Sequence, residues 1–315
     1  MQILTVPPRV EPSRGRGDVA AGGPALAVHG GAGARRTELS LEQSGDYESG
    51  LRAALDAGAA VLQEGGSALD AVCAAVAQLE DDPLFNAGRG ASLTAAGTAE
   101  LDASVMTGEG RAGAVAVSRH ARNPVFAARA VLERTEHVLI VSPGEEVVRG
   151  WGLATVEPGY FVTDQRRRQL EDVLARRQVA SRSGTVGAVA LDRDGRLAAA
   201  TSTGGMVGQD VGRVGDSPII GAGTFARART VALSCTGDGE AYVEGAVAHE
   251  IDARLRHTGC SLEEALAGTY ADELDRRAAT GGTIGVTGDG ELVLGYNSEG
   301  MFRGYWDGQE SRVFT

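Results

Sequence analysis

The chain has 315 residues, 43% hydrophobic and 23% charged, which allows a substantial buried core and excludes disorder throughout. The net charge of −12 argues against a general nucleic-acid binder, and all 30 basic residues are arginine. Without lysine, a Walker-type phosphate loop, a Schiff-base enzyme and a Ser-Lys hydrolase are excluded.

Met1 to Pro24 holds Pro7, Pro8 and Pro12 and lacks the apolar stretch of a signal peptide, so residues 1–24 read as a mobile extension. Order is expected from Ala25-Leu-Ala-Val-His-Gly-Gly-Ala-Gly-Ala34, a short strand running into a glycine turn. Leu51 to Gln63 and Ala68 to Glu80 read as helices, the second capped by Ser67 and apolar on nearly all sides. Residues 81–97 form an irregular loop, then Leu101–Met106 and Ala112–Ser118 read as strands. Asn123-Pro124 opens a helix to about Arg134, with Asn at the cap and Pro at the first position.

Residues 158–184 are polar and arginine-rich with a thin apolar stripe, which predicts a surface connection or mobile linker. A hairpin follows, Gly184–Asp192 and Arg196–Thr201, with Asp194-Gly195 at its turn. Val231–Ser234 is a further strand, Ala241–Leu255 and Ser261–Ala278 read as helices, and Gly281–Thr287 with Glu291–Gly295 forms a final hairpin. Strands alternating with paired helices predict an α+β fold of sheets covered by helices. No apolar run is long enough to span a membrane. Cys73, Cys235 and Cys260 form neither a disulfide framework nor a zinc site, so a reducing cytoplasm is the expected setting.

Val28-His-Gly-Gly-Ala-Gly33 resembles an esterase oxyanion loop, but no Gly-x-Ser-x-Gly elbow accompanies it. The five histidines are scattered and none forms a zinc pair, although His29 sits at a strand end beside a glycine turn. Three threonines stand at strand ends next to glycine: Thr185, Thr203 and Thr236. Glycine lets a substrate approach the main chain there, and backbone N–H groups in such turns can form an oxyanion hole. Gly212-Arg-Val-Gly-Asp-Ser-Pro218 places a guanidinium and a carboxylate three residues apart, suited to an α-carboxylate and an α-amine. On spacing alone, ordinary turn chemistry plus a local ion pair is the favoured account of these residues.

Seven segments together carry more. His29-Gly-Gly-Ala-Gly33, Pro83-Leu-Phe-Asn-Ala-Gly88, Leu101–Met106, Gly184–Asp192, Ala200-Thr-Ser-Thr-Gly-Gly-Met206, Gly212–Pro218 and Ser298-Glu-Gly-Met301 occur in one order across residues 25–305. In that order the chain resembles the isoaspartyl peptidase/L-asparaginases, the plant-type asparaginases of the N-terminal-nucleophile hydrolases. The resemblance implies a single αββα sandwich over residues 25–315, made as a precursor that cuts itself before a threonine into 1–184 and 185–315. It also implies a homodimer of cleaved units, acting on L-asparagine and β-aspartyl dipeptides, with no cofactor for catalysis.

Carried over by residue, the resemblance makes Gly184–Thr185 the scissile bond and Thr185 the nucleophile. The residue types suit this role. Gly184 leaves its carbonyl uncrowded, and after cleavage the free α-amine of Thr185, with a reference pKa of roughly 7.7–8.0, can act as base for its own hydroxyl. The resemblance assigns Thr203 as hydrogen-bond partner, Thr236 and the Gly237 N–H to the oxyanion, with Asn86 a further contributor. It assigns Arg213 and Asp216 to the substrate α-carboxylate and α-amine, and Gly205 and Gly239 to the pocket lining. It further implies a structural sodium ion on backbone carbonyls of the loop 79–89, through Leu79, Glu80, Asp82, Phe85, Ala87 and Arg89; a loop held by Pro83 and packed Phe85 is the simpler alternative. Where many relatives carry Thr-Asn-Lys, Val207-Gly208-Gln209 stands here, which predicts a loss of polar groups near the substrate loop. Asp238 is expected to disfavour acidic leaving groups. The rival readings are a glycosylasparaginase-type amidase and an uncleaved, non-enzymatic member.

Overall fold

A computed structural model describes residues 1–8, 23–33, 40–176 and 184–315. In chain order its strands are β1 (Gln2–Val6), β2 (Ala25–Ala32), β3 (Leu101–Thr107), β4 (Ala112–Ser118), β5 (Leu139–Val141), β6 (Val186–Leu191), β7 (Leu197–Thr203), β8 (Thr224–Arg227), β9 (Val231–Gly237), β10 (Gly281–Thr287), β11 (Leu292–Tyr296), β12 (Met301–Trp306) and β13 (Ser311–Phe314). Its helices are α1 (Leu41–Gln63), α2 (Ala68–Asp81), α3 (Pro124–Arg134), α4 (Glu145–Gly150), α5 (Asp164–Arg176), α6 (Gly239–Glu244), α7 (Val247–Thr258) and α8 (Leu262–Thr269).

Two sheets result. One has the order β13-β12-β2-β6-β7-β3-β4-β5, the other β1-β11-β10-β9-β8. Every pairing is antiparallel except β4 with β5. Helix α2 packs on β6 and β7, α1 on β2 and β12, and α3 on β3 and β4. Strands β6 and β7 also meet β9, and β2 meets β10, while α8 packs on β11 and α7 on β8 and β9. The α+β class therefore holds.

The chain builds these layers from simple local signals. In α1, Leu51, Ala54, Leu55, Gly58, Ala59 and Leu62 are buried at helical spacing. The helix begins ten residues before the expected Leu51, because Ser40 and Gln43 form a capping box. Ser67 caps α2 as expected, its Oγ accepting from Asp70 N–H at 3.1 Å. Asn123 does not cap α3 with its side chain. A carboxylate from the neighbouring helix takes that place: Glu80 Oε1 accepts from Val125 N–H at 2.9 Å.

Two expected mobile segments are ordered where they are described. Within residues 1–24, Gln2–Val6 pairs along its whole length with β11, because its backbone completes an otherwise open sheet edge. Residues 9–22 lie outside the described residues. Within 158–184, the thin apolar stripe is sufficient: Phe161 and Leu170 are buried with Leu93, Leu101 and Val207. Arg166 is also buried, donating through Nε to Gly90 O at 2.5 Å and through Nη2 to Leu84 O at 3.2 Å. Residues 177–183 of that linker lie outside the described residues. The expected helix Ala241–Leu255 is interrupted at Ala246, whose φ of 44° separates α6 from α7. The expected helix to Ala278 ends at Thr269 and continues as π- and 3-10-helical turns.

Candidate functional site

Thr185 immediately precedes β6, beside β2 and β7 in the same sheet, and Thr236 approaches from β9 in the other sheet. The Thr185 hydroxyl donates to Thr203 Oγ1 at 3.2 Å, and the Thr185 N–H donates to Thr236 Oγ1 at 3.1 Å. Thr203 Oγ1 also accepts from Gly205 N–H at 3.0 Å, and Thr236 Oγ1 from Ala32 N–H at 3.2 Å. Each of these oxygens thus accepts twice, which leaves its own hydroxyl hydrogen to be donated elsewhere. All three threonines are buried.

The approach of the His29–Gly33 segment to Thr185 requires glycine on both sides. A Cβ on Gly184 would stand 2.3 Å from Gly31 Cα, and Gly31 has φ +114°. The main chain of one strand end therefore lies directly against the Gly184–Thr185 bond. His29 does more than wall the site. Its Nδ1 lies 2.9 Å from Thr185 O, and its Nε2 lies 2.8 Å from Ser234 Oγ.

Arg213 and Asp216 converge across Gly239: a Cβ there would stand 2.9 Å from both Arg213 Nη2 and Asp216 Oδ1. Asp216 is buried, and its Oδ2 has no hydrogen-bond partner among the described residues. Burial raises its pKa to about 7, against the pull of its own backbone N–H and of Arg213. An unpartnered buried carboxylate oxygen beside a guanidinium has the charge arrangement that could receive a small zwitterion. Gly205 and Gln209 tie this receptor to the hydroxyl cluster. Gly205 N–H is held by Thr203, while Gln209 Oε1 accepts from Met206 N–H at 2.8 Å and from Arg213 Nη1 at 3.3 Å. The expected loss of polarity at Val207-Gly208-Gln209 is therefore corrected, because the Gln209 side chain folds inward and reaches Arg213.

Asn86 orders this loop, its Nδ2 donating to Gly205 O at 2.7 Å and its Oδ1 accepting from Ser92 N–H at 2.6 Å. Gly237 ends β9 directly after Thr236. Asp238 Oδ2 accepts from Thr280 N–H at 2.7 Å. The loop 79–89 runs from the end of α2 into the turn Gly88–Gly90. There a Cβ on Gly88 would stand 2.3 Å from Glu80 O, and one on Gly90 would stand 2.1 Å from Phe85 O and 2.5 Å from Pro83 O. Among the described residues, no three His, Cys, Asp or Glu side chains gather as a metal site. Asp82 Oδ1 is engaged by Leu84 N–H at 3.0 Å, and Arg89 lies over the Tyr160 ring, 5.7 Å from its centroid.

Four contributors escaped the reading of spacing. Glu240 forms a bidentate pair with Arg213, at 2.8 Å through both Nε and Nη2. Glu100 Oε2 accepts from Gly212 N–H at 2.7 Å and pairs with Arg119. Asp102, opposite Thr203 in the β3–β7 register, accepts from Val117 N–H at 2.9 Å. Gln209 is the fourth. The signals were present, since Glu240 follows Gly239 directly and Asp102 lies in one of the seven segments, but none shows which partner it meets.

Three buried threonines gathered near a guanidinium and a buried carboxylate are a chemistry that hydrolysis can use, and comparison with known proteins defines the class of this chain. The asparaginase family model (Asparaginase_2) matches residues 22–315, and the chain belongs to this family. The chain is 45% identical over 296 residues to "Isoaspartyl peptidase" of Escherichia coli (strain K12), covering 89% of this chain and 92% of that protein. It is 38% identical over 303 residues to "Plant-type L-asparaginase" of Pyrobaculum calidifontis, covering 91% and 98%. It is 37% identical over 285 residues to "Isoaspartyl peptidase/L-asparaginase" of Homo sapiens, covering 88% and 91%.

Proposed function

We propose that the chain is an autoprocessing threonine amidohydrolase that converts L-asparagine and β-aspartyl dipeptides to aspartate plus ammonia or an amino acid. The observation that carries this reading is the placement of Thr185. Its Oγ1 is 3.2 Å from Thr203 Oγ1 and its nitrogen 3.1 Å from Thr236 Oγ1, in a site continuous with Arg213 and Asp216. In the precursor, Thr185 Oγ attacks the Gly184 carbonyl and the amide becomes an ester. Water cleaves the ester, releasing a Gly184 carboxylate and the free Thr185 α-amine.

In turnover, that amine takes the Thr185 hydroxyl proton while Oγ attacks the substrate β-carbonyl. The Thr236 hydroxyl and the Gly237 N–H stabilise the oxyanion, and the leaving ammonia or amine carries away the proton. Water then hydrolyses the β-aspartyl ester on Thr185. Arg213 holds the substrate α-carboxylate and Asp216 its α-ammonium, with Gly205 and Gly239 lining the pocket and Asn86 holding Gly205 in place. The pairwise packing of α1–α3, the two sheets, α7 and α8 supports an αββα sandwich over residues 25–315. Two such cleaved units form the expected homodimer. The free cysteines support a cytoplasmic setting.

The loop 79–89 fits the sodium ion of the family resemblance. The glycines at 88 and 90 leave room where the Glu80, Pro83 and Phe85 carbonyls approach, and such hard oxygens suit a monovalent cation. Of the residues the resemblance implies, Leu79, Glu80, Asp82, Phe85, Ala87 and Arg89, the Glu80 and Phe85 carbonyls are among those that approach there, and the ion would stiffen the loop that carries Asn86.

Intact-mass analysis tests the reading: purified protein should yield fragments 1–184 and 185–315 and hydrolyse asparagine. Thr185→Ala should give one uncut chain without turnover. Asparagine hydrolysis by that variant contradicts the assignment. Comparing glycoasparagine with β-aspartyl-leucine separates a glycosylasparaginase-type amidase.

A further inference from the structure

We propose that His29 is a positioning residue for the Thr185 terminus: its Nδ1–H holds the Thr185 carbonyl, and a file of buried hydroxyls behind it holds the ring. The inference rests on the reading of Thr185 as nucleophile. His29 has no exposed surface, and nothing in the proposed chemistry uses it.

The direction of each bond in the file follows from elementary donor and acceptor rules. Thr185 O can only accept, so at 2.9 Å the hydrogen must sit on His29 Nδ1. Burial lowers the His29 pKa to about 3, so the ring carries one proton and Nε2 must accept. Ser234 Oγ therefore donates to Nε2 across 2.8 Å. Ser234 then accepts from Thr201 Oγ1 at 2.7 Å, Thr201 from Thr224 Oγ1 at 2.5 Å, and Thr224 from Ser104 Oγ at 2.7 Å. The single hydrogen of Ser104 is thereby committed to Thr224, and the file runs from Ser104 in β3 to the proposed nucleophile.

Its bend is possible only beside a glycine. A Cβ on Gly187 would stand 2.0 Å from Ser234 Oγ and 2.5 Å from His29 Nε2. Once the Gly184–Thr185 bond is cut, Thr185 is tethered on one side only. Its nitrogen and hydroxyl face reacting partners, and the His29 bond is what fixes its carbonyl. A shift of about 1 Å in such a terminus costs about 10²-fold in rate.

His29→Asn and His29→Gln distinguish positioning from mere packing. Asn places an N–H where Nδ1 stands, whereas Gln places its polar end near Nε2 and leaves the Thr185 carbonyl without a donor. The readouts are kcat and KM for L-asparagine, normalised to free Thr185 termini by intact mass. Gln should lose kcat by roughly 30- to 100-fold with KM within about threefold, and Asn should recover at least about tenfold of that loss. Equal kcat for both variants, or a loss confined to KM, overturns the proposal. Where the ring variants are not recovered folded, Ser234→Ala decides: kcat should fall about three- to tenfold, and an unchanged kcat overturns it. Absence of turnover in the unmodified protein removes the nucleophile reading itself. Turnover indifferent to His29 removes this inference alone.

Discussion

Arg213 and Glu240 meet in a bidentate ion pair, with Nε and Nη2 each 2.8 Å from a carboxylate oxygen. The guanidinium proposed to receive a substrate carboxylate therefore already holds one. The side chain of Arg213 is 15% exposed and that of Glu240 60%, so the pair lies at the mouth of the site, where water weakens it.

The substrate must displace Glu240 or share Arg213 with it. Glu240→Gln should lower KM for L-asparagine by roughly two- to fivefold while kcat stays within about twofold. Steady-state kinetics on the fully cleaved protein checks this. A raised KM would mean that Glu240 orients Arg213 for the substrate rather than competing with it.

Asp216 sets a pH dependence of binding. Burial raises its carboxyl to about 7, with Arg213 opposing and Glu240 and Asp102 adding like charge. Below that pH the free site carries a neutral acid and loses its attraction for an α-ammonium. KM should therefore rise as pH falls from about 8 to 6, approaching tenfold per pH unit once below about 7. Asp216→Asn should raise KM at pH 8 by roughly 10²-fold and remove this part of the pH dependence, measured as KM against pH.

Glu80 sets a pH dependence of stability. It is fully buried, and burial lifts its pKa from 4.5 to about 8, although Ser202 and Val125 N–H pull the other way. The folded chain thus holds a proton that the unfolded chain releases between those two pH values. Stability from this group is complete below about 4.5 and is lost as pH rises through about 8. Glu80→Gln imitates the protonated form, so its melting temperature relative to the parent should climb between pH 5 and 9. The gain at pH 9 should be about 2–4 kcal/mol. Parallel melting curves across that range would show that Glu80 stays ionised.

Sodium should stabilise the loop that carries Asn86. Replacing sodium chloride with choline chloride at constant ionic strength should lower the melting temperature by a few degrees, about 1 kcal/mol, and slow asparagine turnover. Identical curves in both salts would argue that Pro83, Phe85 and Arg166 hold the loop alone.

Much of the site was legible because it is built from short segments with local meaning. Thr185, Thr203 and Thr236 announce themselves as strand-end threonines beside glycine, and Arg213 and Asp216 share one tight loop. The helical spacing in α1 and α2 and the hairpin turns are likewise local. The order of seven segments then carried the resemblance, which no single one could.

The sequence by itself determined the α+β class, most element positions and the residues gathered around Thr185. The tertiary structure alone decided their partners. Arg213 is held by Glu240, α3 receives Glu80 in place of an Asn123 side-chain cap, Arg166 pins α5 to Leu84 and Gly90, and β1 completes a sheet edge against β11. The reason is physical. Periodicity and turn chemistry depend on neighbours a few residues away, whereas a buried polar group takes whatever partner the packed fold brings within about 3 Å, however distant in the chain. His29 and Ser234, 205 positions apart, meet only because two sheets close on each other where Gly187 leaves the space.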